Sequence, residues 1–251
     1  MAMAQRRVVV SGGGTGIGLA TAEAFAADGD RVVLLGRRED VLRKAADTLN
    51  GQYDESTASW CAADLADPEQ VGRARDFITA DETPVDVLVA NAGGNVAREP
   101  DGTLASIADS YRDNFDANVL TAVLLTEALL PHMRRPGGRI VQVSSIASLR
   151  GPGSYGGSKA WVNTYTYALA QRVGPEGITV NAVAPGFVGD TEFFGARATP
   201  EFIASRVGQT LTGKPGHPSE IAAAVRYVAS PEAAYLTGQL LHINGGAALG
   251  R

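Results

Sequence analysis

The sequence is short of cysteine, histidine, aromatic side chains and long apolar runs, and each shortage removes a class of protein. A single cysteine, Cys61, in 251 residues excludes an internal disulfide. It fits a reducing compartment, so a cytoplasmic setting is expected. Cys61 lies in the strand-like run TASWCAAD and reads as a buried structural thiol. The three histidines, His132, His217 and His242, show no metal-ligand spacing, and no metal is expected. The longest apolar stretch, VLTAVLLTEALL at 119–130, is shorter than a membrane span and contains Glu127. The opening MAMAQRR runs straight into VVVS, without the apolar region of a signal peptide. A net charge of −5 lacks the basic footprint that nucleic acid requires. With 45% hydrophobic and 20% charged residues, the chain has an ordinary globular composition. Its length suits one large α/β domain, taken as 1–251.

What is present alternates. Short β-branched runs fall at 7–11, 31–35, 58–62, 85–90, 138–144, 178–183 and 239–243. Helical patterns fall between them near 16–28, 39–50, 67–80, 103–132, 155–173 and 218–230. Several strands are nearly continuous in Val, Ile and Leu, as in a parallel sheet covered on both faces. The βαβ alternation predicts a doubly wound sheet of about seven strands with helices on each side. One long irregular region, 185–217, contains Phe193 and Phe194 between glycines and a proline. Its apolar content favours a lid over a substrate pocket. Read otherwise, it is a packed surface excursion.

The first strand ends in SGGGTGIG, 11–18, and a helical pattern begins at once. Gly12, Gly16 and Gly18 would turn the chain sharply and bring its backbone against a pyrophosphate. Thr15 and Ile17 complete the loop, and the helix N-terminus offers N–H groups and a positive dipole end to phosphate. The context, strand then loop then helix, is the one a dinucleotide site needs. At the end of the second strand, VVLLGRRED, an acid that would bond the ribose of NAD is replaced by Gly36, and Arg37 and Arg38 follow. Room for a 2′-phosphate beside two guanidinium groups points to NADP(H). Read otherwise, the arginines are ordinary surface charge. Glu39 and Asp40 suit the first turn of the next helix.

With these motifs in place, the chain resembles the short-chain dehydrogenase/reductase family over nearly its whole length. The carrying features are the glycine pattern, DL at 64–65, NAG at 91–93, Asn118 in NFDANV, Ser145 in VQVSSIAS, YGGSK at 155–159, NAVAPGFV at 181–188 and the ending YLTGQLLHINGG. The resemblance implies a single-domain Rossmann fold and a set of residue roles. Asp64 would bond the adenine amino group, with Leu65 beside the ring. Asn91, Ala92 and Gly93 would line the adenine ribose side. Pro185, Gly186 and Val188 would run along the nicotinamide, and Asn118 would hold a water relaying protons to Lys159. It also implies pairing through the 103–132 and 155–173 helices, in a homotetramer or a dimer.

The chemistry also follows from residue types. Hydride addition to a ketone builds negative charge on oxygen, which must be protonated as it forms. A tyrosine of ordinary pKa, about 10, is a reluctant proton donor or acceptor near neutrality. Lys159, one helical turn from Tyr155, would lower that pKa by favouring the phenolate. It would also reach the ribose hydroxyls of the cofactor. Ser145, near the end of the fifth strand, would donate to the substrate carbonyl oxygen. Tyr165 and Tyr167, further along the helix, read as packing residues.

Two departures from the family stand out. Ser145 and Tyr155 are ten positions apart, a shorter interval than in many members, which predicts a more open pocket on that side. The interval leaves Ser144 and Ser148 as neighbours to weigh, and Ser145 is preferred because successive strand residues face opposite ways. After the valine of APGFV, the usual threonine position is Asp190, and Thr191, the next residue, is assigned to the cofactor. The expected protein is an NADPH-dependent ketoreductase acting on a carbonyl or secondary alcohol, a carrier-bound acyl chain among the candidates. It resembles 3-oxoacyl-carrier-protein reductases. The alternatives are an NAD-dependent dehydrogenase of a sugar, steroid or other secondary alcohol, and a non-catalytic NADP-binding sensor. The lid shows no charged cluster that would name a substrate.

Overall fold

The computed structural model describes residues 5–96, 100–151 and 153–249. Seven strands form one sheet: β1 (Arg7–Ser11), β2 (Arg31–Gly36), β3 (Ala58–Ala62), β4 (Val87–Ala90), β5 (Arg139–Val143), β6 (Thr179–Pro185) and β7 (Leu240–Ile243). Their order is β3-β2-β1-β4-β5-β6-β7, and every neighbouring pair is parallel. The helices are α1 (Gly16–Ala27), α2 (Glu39–Gln52), α3 (Pro68–Thr79), α4 (Leu104–Phe115), α5 (Thr121–Leu129), α6 (Ala147–Arg150), α7 (Gly153–Val173), α8 (Pro200–Val207) and α9 (Pro218–Val228).

Two cores, one on each face, explain the continuous apolar strands. Alternate strand residues point to opposite faces. Val8, Val10 and Leu34 join Phe25 of α1, Leu42 of α2 and Ile221 of α9 on one side. Val9, Val33 and Leu88 join Ile78 of α3, Leu125 of α5 and Leu169 of α7 on the other. Capping sets several helix starts. Asp67 accepts from the Glu69 and Gln70 amides ahead of α3, with Pro68 at the first helical position. His217 and Glu220 cap one another ahead of α9.

Four local expectations are corrected. The helix expected over 103–132 is interrupted by a π-helical turn, Asp116–Leu120, and ends in a 3₁₀ turn, Leu130–His132. The region 185–217 is not irregular throughout. It contains α8, which Thr199 caps by accepting from the Phe202 amide at 3.2 Å, with Pro200 next in sequence. The helix bearing Tyr155 starts at Gly153 and is preceded by α6. Cys61 is half-buried on the edge strand β3, and partial burial raises its pKa, which keeps it a thiol.

The chain leaves β1 towards β2 and β3 and then returns past β1 to β4. Strand order therefore reverses between β1 and β4, where parallel sheets hold ligands at their carboxyl ends. At the far side, buried Asn181 of β6 anchors the approach to β7. Its amide donates to the Leu236 carbonyl at 2.8 Å, and its oxygen accepts from the Gln239 amide at 3.0 Å. Asn181→Ala leaves both partners unpaired. It is expected to cost about 1–3 kcal/mol, read as a lower urea midpoint with an unchanged m-value.

Candidate active site

The carboxyl ends of β1 and β4 are tied together. The Ser11 hydroxyl accepts from the Asn91 and Ala92 amides, both at 2.9 Å, and the Asn91 side chain donates to the Ser11 carbonyl at 2.9 Å. Above this tie the glycine loop turns with positive φ at Gly12 (65°) and Gly16 (55°), where side-chained residues are strained. A Cβ at Gly18 would stand 2.0 Å from the Gly12 carbonyl oxygen, so only glycine lets loop and helix meet. Helix α1 opens with no side-chain cap from Thr15 and no acid in its first turn. Its first N–H groups and positive dipole end are left for an anion, which fits a pyrophosphate. Arg37 and Arg38 stand exposed at the end of β2, and Arg38 pairs with Glu192 at 2.8 Å.

Serine, tyrosine and lysine meet on the opposite wall. Ser144 turns into the fold, its hydroxyl within hydrogen-bonding reach of the Lys159 carbonyl at 3.2 Å and of Asn163 Oδ1 at 2.5 Å. Ser145 faces the cavity, and its hydroxyl accepts from the Ala147 amide at 3.1 Å. Ser148 donates to the Ser145 carbonyl at 2.7 Å. Gly156 explains half of the glycine pair in YGGSK. A Cβ there would lie 2.7 Å from the Ala147 carbonyl oxygen, so its absence lets α6 pack on α7, whereas Gly157 faces open space.

Burial, more than mutual charge, governs both ionisable groups. Burial pushes the Tyr155 phenol up to about 12, opposed by the Ser145 hydrogen bond. Burial pulls Lys159 down to about 8. Lys159 does not figure among these influences on the tyrosine. Its ammonium lies 6.0 Å from the Tyr155 ring centre and donates instead to the Val143 carbonyl at 2.9 Å.

Asn118 sits on the π-helical turn, buried, and its amide is spent on backbone. It donates to the Gly94 and Asn114 carbonyls at 2.8 and 2.9 Å and accepts from the Gly94 amide at 3.0 Å. The side chain thus clamps the Gly93–Gly94 segment.

A cavity of about 670 Å³ joins these walls. Gly12, Thr15, Gly16, Ile17, Arg37, Arg38, Asn91, Ala92 and Gly93 line one part of it, and Ser145, Tyr155, Lys159, Pro185, Gly186, Val188 and Thr191 line the rest. Asp190 adopts φ 53°, a turn conformation aspartate tolerates, while Thr191 comes to within 3.4 Å of a Cβ built at Gly16. Four expected residues do not line the cavity. Gly18 and Asn118 act from behind it. Asp64 accepts from the Ala66 amide at 3.0 Å, and Leu65, 2% exposed, is corrected to a core residue packed with Val33 and Leu35. Beside the short Ser145–Tyr155 interval, Arg150 of α6 reaches Gln209 at 3.3 Å. Phe187, Phe202, Arg197 and Arg206 also line the cavity. They are scattered in sequence, so no local motif announces them. Among the described residues no group of His, Cys, Asp or Glu is arranged to hold a metal, and no helix is long and apolar enough to cross a membrane.

Comparison with known proteins follows the same lines. A family profile described as Enoyl-(Acyl carrier protein) reductase matches residues 12–248. The short-chain reductase protein NovJ of Streptomyces niveus is 35% identical over 98% of this chain and 95% of its own. The 3-oxoacyl-[acyl-carrier-protein] reductase FabG of Vibrio cholerae is 34% identical over 95% of each. The crystal structure of a short-chain dehydrogenase from Burkholderia cenocepacia in complex with NADP superposes with a TM-score of 0.86 at 32% identity, covering 96% of this chain and 97% of that one.

The buried ammonium makes a stability prediction. Between about pH 8 and 10.5 an unfolded lysine still holds its proton while folded Lys159 has lost it. The unfolded state binds more protons there, so stability rises with pH across that window. Lys159→Met is expected to lose this rise, seen by comparing denaturant midpoints of the two proteins at about pH 7.5 and about pH 10.

Proposed function

The chain belongs to the short-chain dehydrogenase/reductase family and is an oxidoreductase that uses a nicotinamide cofactor, and on that premise we propose that it is an NADPH-dependent ketoreductase. The observation that carries this reading is the meeting of Ser145, Tyr155 and Lys159 on the wall of a cavity whose other end is an uncapped helix N-terminus beside two arginines. The glycine loop and α1 would hold the pyrophosphate, with Arg37 and Arg38 on the 2′-phosphate. Asn91, Ala92, Gly93, Pro185, Gly186, Val188 and Thr191 would flank the rest of the cofactor. When bound, NADPH would supply the hydride that the carbonyl carbon receives.

The protein's own residues handle the oxygen. Ser145 donates to the carbonyl oxygen and orients it. Tyr155 gives its phenolic proton to that oxygen as negative charge develops. Burial makes the phenol a weaker acid, and the transfer still runs downhill because the alkoxide it meets is the stronger base. The Lys159 ammonium stabilises the phenolate left behind. Asn118 is a positioning residue that holds Gly93–Gly94 against the cavity. The chain is taken as one domain in the cytoplasm, with 185–217 as the lid. Homo-oligomer contact is assigned to the outer faces of α4 and α7, where Leu104, Tyr111, Phe115 and Trp161 are exposed.

Tyr155→Phe is expected to lower kcat for ketone reduction by about 10²–10⁴-fold while NADPH still binds, measured by steady-state turnover and by cofactor fluorescence. Unchanged turnover would place the acid elsewhere. One observation favours the NAD-dependent alternative: the Glu192 carboxylate already occupies Arg38. Such an exposed pair is worth about 0–1 kcal/mol, less than a guanidinium–phosphate pair. NADPH should therefore exceed NADH in kcat/KM. Arg38→Ala is expected to erode that preference and Glu192→Gln to strengthen it. A preference for NADH in the unaltered protein sinks the NADPH assignment.

A further inference from the structure

Beyond the serine and tyrosine, the cavity wall is an unbroken run of aromatic rings. Phe193 stands 5.7 Å from Tyr155 between ring centres, Phe194 4.8 Å from Phe193, and Phe202 5.2 Å from Phe194. Phe187 backs this run, 5.1 Å from Phe194. The run ends on a cation: the Arg206 guanidinium lies over the Phe202 ring, 4.9 Å from its centre. Two further guanidinium groups line the same cavity, Arg150 from the end of α6 and Arg197 from the 3₁₀ turn Gly195–Arg197. Arg150 is directed across the cavity by its bond to Gln209.

All three are solvent-exposed, so they stand at the mouth of the cavity they line. Among the described residues, none of these three forms an ion pair. The one carboxylate lining the cavity, Glu192, is taken by Arg38. An apolar wall thus begins at the proton donor and ends among three guanidinium groups that lack a counter-charge. Planar guanidinium forks pair with carboxylate and phosphate oxygens, and aromatic faces receive flat apolar bodies.

We propose that the substrate is an anionic ketone, whose flat apolar body lies along Phe193 and Phe194 and whose far end carries a carboxylate or phosphate received by Arg150, Arg197 and Arg206. This rests on the ketoreductase reading and adds the chemical class of its substrate. The charge selects and steers the substrate, while the rings set the distance between its anion and its carbonyl.

Three compounds test it: para-acetylbenzoate, para-acetylphenyl phosphate and the neutral methyl para-acetylbenzoate. Each is titrated calorimetrically into the full-length protein, with and without NADPH, and each is assayed for NADPH consumption. At least one anion should bind about tenfold or more tightly than the ester, a preference that shrinks as salt is added. Whichever of the two anions is favoured identifies the group the arginines read. The triple variant Arg150→Gln, Arg197→Gln, Arg206→Gln should bring the anion-to-ester ratio close to one. The proposal is overturned if the ester binds as well as both anions, if neither anion binds, or if the preference survives the triple substitution. Preferential anion binding without consumption of NADPH on any of the three would instead count against the reductase reading, leaving the charge selectivity in place.

Discussion

An ammonium buried in a protein must be hydrogen-bonded, and much of this site follows from how Lys159 meets that demand. Its ammonium donates to the carbonyl of Val143, the last residue of β5. Its own carbonyl accepts from Ser144, whose hydroxyl also reaches Asn163 one turn further along α7. Strand and helix are therefore locked at the point where the chain leaves the sheet. Because Ser144 is turned inward by these bonds, Ser145 faces the cavity, and the start of α7 holds Tyr155 against it. Gly156 completes the arrangement by letting α6 lie directly on that first turn.

The second organising constraint is the reversal of strand order between β1 and β4. It opens a crevice at the sheet's carboxyl edge, and the Ser11–Asn91 tie keeps its two sides in register. Into the same crevice the fold brings Arg37, Arg38, Arg150, Arg197, Arg206 and Lys159 against one carboxylate, Glu192. A chain of net charge −5 thus presents a cavity mouth lined by exposed cations, which concentrates anionic ligands independently of the overall charge.

Most of the architecture was legible because it rests on periodicity. Both faces of each central strand are covered, so valine-rich runs mark the sheet, and all seven strands lie within a few residues of the runs read from sequence. The π-helical turn at Asp116–Leu120 was not legible. Its residues have no composition of their own, and the extra residue in the turn becomes meaningful only because it aims Asn118 at Gly94. Helix α8 carried a readable signal, Thr199 followed by Pro200, that the surrounding phenylalanines obscured. Leu65 shows that a motif position says nothing of which way a side chain faces. Here the core, not the cavity, takes it.

The sequence by itself determined the parallel α/β layout, the glycine loop, and the spacing of Tyr155 and Lys159, because each depends on residues near one another in the chain. Tertiary structure alone decided the rest. It turned Ser144 inward and Ser145 outward, set the ammonium on Val143 rather than near the phenol, and made burial the dominant influence on both. It also gathered Arg150, Arg197 and Arg206 around one aromatic wall. Charges that look unclustered along the chain become a site only when the segment after β6 folds back towards α6, since attraction for an anion depends on distance in space and not on separation in sequence.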